Sequence, residues 1–287
     1  MTAGPVPRGT IYDLGYEGYD GPRQGRRYAV WSLYVLSLRS AFGLGRGALP
    51  KVLAFGLVTV ALIPALIQVI IAAIGPEEDF SFVQPHEYYD FIQVVIILFT
   101  AALASDLVGS DRRFGTLVLY FSRPIRWADY GAAKLAALAT GLFAVTLLPQ
   151  TLMFFGNWLG AADAWRWAET NAVDFAPIVG SGLMISVTFA AVGLLTATYA
   201  ARRAFAIISV LALFLIPFIV VEAITDISDD AKYAAFASPV HVMRSFTLVL
   251  FNEVPAIDLP WGVFILAAFA YAAAAAALLL TRLRNSV

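Results

Sequence analysis

The chain contains no cysteine, and charged residues make up only 14% of its 287 residues. Without cysteine, neither a disulfide nor a thiolate metal site can form. A typical soluble domain carries about 25% charged residues, whereas hydrophobic residues reach 60% here. This composition excludes an ordinary soluble domain, and the net charge of −1 gives no indication of a nucleic-acid partner.

Catalytic and cofactor-binding patterns are also missing. The sequence has no G-x-x-x-x-G-K-[ST] phosphate loop, so we expect that the chain does not hydrolyse ATP by itself. The apolar stretches hold no paired acids, Ser–His pair or metal-binding histidine pattern, which disfavours an intramembrane enzyme. We therefore predict no catalytic residues, no metal site and no directly bound cofactor. Because the first 28 residues are polar and rich in glycine, we expect no cleavable signal peptide.

Long gaps between charged residues dominate the rest of the sequence. A membrane-spanning helix needs about 20 mostly apolar residues. Four gaps contain 25, 28, 27 and 23 residues, and two shorter ones contain 18 and 15. The shortest gap, between Asp90 and Asp106, crosses only if Asp106 lies at or inside one membrane face. The pattern predicts an all-α membrane protein with six spans, at about 52–74, 90–110, 133–155, 176–200, 204–224 and 260–281.

Lysine and arginine are segregated between the loops. With the N-terminus in the cytoplasm, 16 of the 19 basic residues fall on the inner side, and only Arg166, Lys232 and Arg244 fall outside. This is the positive-inside distribution of cell-membrane proteins. An even number of spans places the C-terminus in the cytoplasm as well. We therefore predict a multi-pass protein of the cell (plasma or inner) membrane.

The spans divide the chain into three parts. Residues 1–27 form a cytoplasmic tail, residues 28–51 an interfacial helix on the inner leaflet with Trp31 and Tyr34 as aromatic anchors, and residues 52–287 the transmembrane domain. The last outer loop, 225–259, contains an amphipathic segment, 239–251, that Arg244 prevents from crossing. Because proline is favoured at the first helical position, Ser238 and Pro239 are expected to begin a helix there.

The second inner loop, residues 105–135, is the most informative segment. It is too apolar for a solvated hairpin, and Leu117, Tyr120 and Phe121 share one helical face. Pro124 disfavours helix at the residue before it, so a helix of about two turns is predicted near 113–122. A short amphipathic helix with charges at both ends suits contact with a soluble partner.

This loop resembles the cytoplasmic signature of type-2 permeases of ATP-binding-cassette (ABC) transporters, which are mostly exporters. The matching elements are Asp111, Gly115-Thr116-Leu117, Pro124, Arg126 and Lys134. The family usually has glutamate in place of Asp111 and a further acidic residue near Arg113. The six spans, the inner interfacial helix and the long last outer loop extend the resemblance to about residues 28–287.

The resemblance implies that the loop helix sits in a groove of a separate ATPase subunit. Two ATPase copies, which would hold ATP and magnesium, would then join two permeases, either a pair of this chain or this chain with a paralogue. The residues implied in ATPase coupling are Asp111, Arg112, Arg113, Gly115, Thr116, Leu117, Tyr120, Arg123, Pro124 and Arg126.

Four further polar residues are candidates for gating or for the transport path: Asp106, Lys134, Gln68 and Glu222. Intramembrane ionisable groups are often functional. However, Asp106 and Glu222 also fit plain positions at the membrane border, and Gln68 also fits a helix–helix hydrogen bond. Asp106 could form a cytoplasmic salt bridge that changes during gating.

Two other functions stay open at this stage. An ion-coupled secondary transporter would need acids in the middle of the membrane, whereas Asp106 and Glu222 lie near its edges. A membrane scaffold without transport would share the same topology. Under the hypothesis of an ABC permease, the apolar spans favour a hydrophobic or amphipathic substrate.

Overall fold

A computed structural model describes Gly21 and residues 24–45, 47–74, 82–109, 111, 115–122, 124–200, 202–227, 229–255, 257 and 259–285. These residues form helices and contain no strand. The α-helices are α1 (Arg26–Ala41), α2 (Ala48–Ile74), α3 (Tyr88–Leu107), α4 (Leu117–Phe121), α5 (Trp127–Gly160), α6 (Ala164–Asn171), α7 (Phe175–Ala197), α8 (Arg203–Ile227), α9 (Pro239–Leu250) and α10 (Trp261–Arg284). Short 3-10 helices cover Ala172–Asp174 and Asp229–Ala237.

The prediction of six membrane-spanning helices is confirmed. Within the described part of the chain, six helical stretches are long and apolar enough to cross: α2, α3, α5, the continuous stretch Ala164–Ala197, α8 and α10. The span predicted at 133–155 is longer in the structure, where α5 begins at Trp127 and contains 34 residues. At 1.5 Å per residue it extends for about 51 Å, whereas the hydrocarbon layer is about 30 Å thick. α5 therefore projects well beyond the hydrocarbon layer.

α7 lies at the centre of the bundle. It packs against α3, α5, α8, α9 and α10, and it is the most buried of the six spans. α2, α8 and α10 lie at the periphery and leave most of their apolar surface uncovered. Since lipid tails solvate apolar side chains well, this arrangement fits a chain whose exterior faces a bilayer.

α2 and α5 approach each other closely at Gly156. A Cβ atom at this position would lie 2.3 Å from Cγ2 of Val69, a distance that no packed side chain tolerates. One turn later, Gly160 faces the Ala72 carbonyl in the same way. Small residues allow this kind of backbone approach between membrane helices, so the two spans fit tightly toward one end.

α1 packs along the first half of α5. Its buried residues are Leu33, Ser37 and Ala41, whereas the predicted anchor Trp31 is 61% exposed. The helix ends at Ala41, and α2 already begins at Ala48, so the C-terminal part of the predicted interfacial segment 28–51 belongs to the link and to the first span. Whether α1 lies at the membrane surface stays a prediction, and residues 1–20 of the predicted tail lie outside the described part of the chain.

The helix predicted in the last outer loop is confirmed as α9. Ser238 caps it, because the Ser238 Oγ accepts a hydrogen bond from the His241 N–H at 3.5 Å, and Pro239 occupies the first turn. Val240, Met243 and Thr247 of its apolar face are buried against the spans. α9 therefore packs on one end of the bundle, next to α7 and α10.

Candidate functional site

The bundle has two ends of different chemistry. The end that holds the first residues of α5 and α8 and the last residues of α3 and α10 is called the basic end here. It carries Arg26, Arg126, Lys134, Arg202, Arg203, Arg282 and Arg284. The opposite end carries α6, α9 and the acids of the loops that join them to the spans. The predicted loop 105–135 lies at the basic end.

The carboxylate of Asp111 is the centre of this loop. It accepts from the Lys134 ammonium at 2.8 Å, from the Tyr130 hydroxyl at 2.8 Å and from the Thr116 hydroxyl at 3.3 Å. The Asp111 and Lys134 side chains are only 12% and 7% exposed. A buried charge is tolerated when it is paired and its remaining hydrogen-bonding capacity is satisfied, and these three donors meet that condition.

The turn before α4 is fixed by the backbone. The Thr116 N–H donates to the Asp111 carbonyl oxygen at 3.0 Å, and the Thr116 hydroxyl also reaches that oxygen, at 3.2 Å. Gly115 has a φ of 64°, in the left-handed region that residues with a Cβ avoid. These contacts explain the Gly-Thr pair of the motif, because both residues are needed for the turn that closes the loop onto Asp111.

The loop helix begins later than Gly115. Of the predicted helix near 113–122, the structure shows α4, Leu117–Phe121, after a turn at Gly115 and Thr116, and residues 113 and 114 lie outside the described residues. Gly115 accounts for the difference, since a residue with positive φ cannot continue a right-handed helix. Pro124 follows the helix, as the sequence suggested, and it is exposed.

The apolar face of α4 points toward the bundle. The Tyr120 and Phe121 rings lie 5.8 Å and 6.2 Å from the Tyr130 ring, measured between centroids. Leu117 is half-buried against the same core. Leu119, in contrast, is 67% exposed. Of the predicted coupling residues, Leu117 and Tyr120 therefore pack α4 onto the bundle. Leu119, which was not among the predicted residues, faces outward.

The structure describes only some of the charged residues that flank the loop helix. Arg112, Arg113 and Arg123 lie outside the described residues. The exposed Arg126 precedes α5, and its backbone N–H donates to the Asp129 carboxylate at 2.9 Å. The same carboxylate binds the Arg26 guanidinium through two hydrogen bonds, at 2.7 and 2.8 Å. This hydrogen bonding raises the pKa of Arg26, and it ties the start of α1 to the start of α5.

A second ion pair at the basic end joins α3 to α8. The Asp106 carboxylate contacts the Arg203 guanidinium through Nε at 2.9 Å and through Nη2 at 3.1 Å. Asp106 is 16% exposed and Arg203 47%. The salt bridge suggested for Asp106 is present; whether it changes during gating stays a prediction.

The two remaining candidates have structural partners toward the opposite end. Glu222 is half exposed and lies 3.0 Å from Nε2 of His241. The Gln68 side chain donates to Asn157 at 3.3 Å and accepts from the Phe82 N–H at 2.7 Å. For Gln68, this pattern favours the helix-packing alternative over a path-lining role, because both ends of its amide are engaged within the fold.

Several residues of these sites were not predicted from the sequence. Tyr130, Asp129 and His241 became candidates only through their contacts. The contact of Tyr130 could have been predicted, because Tyr130 precedes Lys134 by four residues and therefore shares its helix face. The contact of His241 could not, since its partner Glu222 lies in another element. Among the described residues, no group of three or more His, Asp and Glu side chains could hold a metal ion.

Comparison with known proteins gives no family assignment. No protein-family model matches the chain, and no curated protein matches it significantly. Function is therefore inferred from the fold and from the contacts at the basic end.

Proposed function

We propose that the chain is the membrane-spanning permease subunit of an ATP-driven ABC transporter of the type-2 exporter class. The observation that carries the proposal is the buried Asp111–Lys134 ion pair, at 2.8 Å, with Thr116 and Tyr130 on the same carboxylate. It joins the acidic residue, the threonine of Gly-Thr-Leu and the lysine of the motif through one carboxylate. Six apolar helices supply the transmembrane domain that such a subunit requires.

The contacts of the loop suggest how force could pass through it. Asp111 follows α3, whereas Lys134 and Tyr130 belong to α5, so one carboxylate joins the ends of two spans. α4 packs on Tyr130 between them. A displacement of α4 by a partner would therefore move α3 and α5 together, because separating the buried charges costs several kcal/mol.

The partner in this proposal is a cytoplasmic ATPase subunit that binds ATP and magnesium. It would contact Leu119, Ser122 and Pro124, which are exposed around α4. Two such subunits and two permeases, identical or paralogous, would complete the transporter in the cell membrane. The apolar, uncovered faces of α2, α8 and α10 suit contacts with lipid and a second permease, and they agree with a hydrophobic or amphipathic substrate.

Two other functions compete with this proposal. An ion-coupled transporter would use Asp106 or Glu222, but both already have partners near the ends of the bundle. A scaffold without transport would need no buried charge cluster beneath an exposed loop helix. Transport that survives dissipation of ion gradients but fails without ATP would favour the ABC permease over both.

Site-specific cross-linking can test the ATPase contact. The chain has no cysteine, so Leu119→Cys introduces a single thiol on α4. After labelling with a photoreactive maleimide in native membranes, we expect irradiation to attach a subunit that carries a G-x-x-x-x-G-K-[ST] motif. The purified complex should hydrolyse ATP, and it should contain equal numbers of permease and ATPase subunits.

Val254→Cys is the matched control. Val254 is 87% exposed at the opposite end of the bundle, so its cross-links should lack the ATPase. A membrane-impermeant maleimide added to intact cells should label Val254→Cys and spare Leu119→Cys. Cross-links to an ATPase from position 254, or none from position 119, would contradict the proposal.

A further inference from the structure

An apolar groove of about 1300 Å³ runs between α1 and α5. One wall consists of Tyr28, Trp31 and Tyr34, which are successive residues on one face of α1. The other wall is the small-residue face of α5 with Ala132, Ala136 and Thr140. Tyr28 and Trp31 are 55% and 61% exposed. Their aromatic rings are therefore uncovered beside the small side chains of α5. This feature is called the α1–α5 groove.

One end of the α1–α5 groove is positively charged. Arg26 and Arg27 lie there beside Asp129. The Arg26–Asp129 pair uses two of the five N–H donors of the guanidinium, so three donors remain for a ligand. Arg27 is exposed. Two guanidinium groups against one carboxylate leave this end with a net positive charge, which suits an anionic group such as a phosphate.

The other end of the groove is uncharged. The Tyr34 hydroxyl donates to the Thr140 hydroxyl at 3.1 Å and joins the two walls there. From Asp129 to Thr140 the groove follows α5 over eleven residue steps, or about 16 Å at 1.5 Å per residue. Residues 133–140 of this wall belong to the span predicted at 133–155, so about 10 Å of the groove borders the hydrocarbon layer.

A second copy of the chain fits this groove less well. A two-fold interface brings the same patch of both subunits together, and here it would place the Arg26 and Arg27 groups of one copy near those of the other. Such like-charge contacts oppose association. A soluble protein is also disfavoured, because Thr140 lies within the span predicted at 133–155.

We propose that the α1–α5 groove binds a phospholipid with an anionic headgroup. The phosphate lies at Arg26 and Arg27, and an acyl chain follows the alanine face of α5 between the aromatic rings. The bound lipid fills the space between α1 and α5 and so links the lipid composition of one leaflet to the position of α1. This inference does not depend on the proposed transport function.

Native mass spectrometry of the purified full chain can test the site, with dioleoyl phosphatidylglycerol and dioleoyl phosphatidylcholine as the probes. We expect one phosphatidylglycerol to be retained at concentrations where phosphatidylcholine is not. Arg27→Gln should weaken phosphatidylglycerol binding about fivefold, since one basic residue near a lipid surface contributes about 1 kcal/mol. Ala136→Trp should fill the groove and abolish retention of this lipid.

Each variant has a control on the same helix pair. Arg39→Gln removes an exposed arginine of α1 outside the groove, and Leu36→Trp adds an indole on an exposed position of α1 that does not line it. Both should bind phosphatidylglycerol like the parent chain. Equal retention of the two lipids, equal losses in Arg39→Gln and Arg27→Gln, or full retention in Ala136→Trp would overturn the proposal. So would a shift of Ala136→Trp from dimer to monomer with lipid binding unchanged, because the groove would then be a subunit interface.

Discussion

The two ends of the bundle hold their ion pairs in different ways. At the basic end, the Asp111 and Lys134 side chains are 12% and 7% exposed, and two hydroxyl groups complete the shell of the carboxylate. At the opposite end, the Asp90 carboxylate and the Arg244 guanidinium are 34% and 47% exposed. Protein encloses both members of the first pair, whereas both members of the second pair are partly exposed.

This difference indicates which of the two pairs separates more easily. Breaking a buried pair leaves an uncompensated charge and costs several kcal/mol. Breaking a solvent-exposed pair costs at most about 1 kcal/mol, because water takes over the solvation of both groups. We therefore expect the loop around Asp111 to move as one unit and the helices of the opposite end to separate more readily.

The largest expected effect tests the buried pair itself. Lys134→Met removes the cation but keeps a chain of similar length, so the Asp111 carboxylate loses its counter-charge. We expect a loss of about 3–5 kcal/mol in unfolding free energy, measured by thermal unfolding of the purified chain in detergent. The double variant Asp111→Asn/Lys134→Met should recover most of this loss, because it removes both charges. A single variant as stable as the parent would show that the ends of the bundle do not differ.

The second effect concerns the turn that closes the loop. Gly115→Ala forces a Cβ into the left-handed region, and we expect a cost of about 1–2 kcal/mol together with weaker coupling of ATP hydrolysis to transport. No atom within 4 Å would obstruct the added methyl group, so the backbone conformation alone causes the cost. Gly109→Ala is the control, since that glycine also has open space and no positive φ. Equal stability of the two variants would contradict a strained turn.

A smaller effect is expected at the edge of the basic end. Arg203→Gln removes the guanidinium that contacts the Asp106 carboxylate, which is only 16% exposed. We expect a loss of about 1 kcal/mol, near the upper limit for partly exposed pairs. Thermal unfolding at low and high salt would measure it, because screening weakens such a pair. If Arg203→Gln also alters the transport rate at unchanged ATPase binding, the gating role suggested for Asp106 gains support.

The smallest effect is expected from the same substitution at the opposite end. Arg244 is as exposed as Arg203, at 47%, but its partner Asp90 is 34% exposed and lies at 3.1 Å. Arg244→Gln should therefore cost less than Arg203→Gln, by a few tenths of a kcal/mol. The two variants differ mainly in the burial of the carboxylate. A reversed order would show that the opposite end is the more tightly held one.

Much of the fold could be predicted from the sequence. The gaps between charged residues place all six spans, because a bilayer admits only long apolar helices whose backbone groups are satisfied internally. Ser238 and Pro239 predict the start of α9 in the same local way. In the loop, Asp111, Gly115, Thr116 and Lys134 could be singled out as a motif, and the structure joins Asp111 to Thr116 and Lys134 directly.

The sequence by itself determined the all-α membrane class and the number of spans, and it singled out one loop for which contact with a partner is predicted. These properties depend on local apolar length and on residue order, which a linear chain carries. The tertiary structure decided which polar side chains meet: Asp111 with Lys134 and Tyr130, Asp106 with Arg203, and Glu222 with His241. It also decided that Tyr120 faces the bundle and Leu119 faces away. Pairing and orientation of this kind depend on how separate helices pack, and no spacing along the chain specifies that packing.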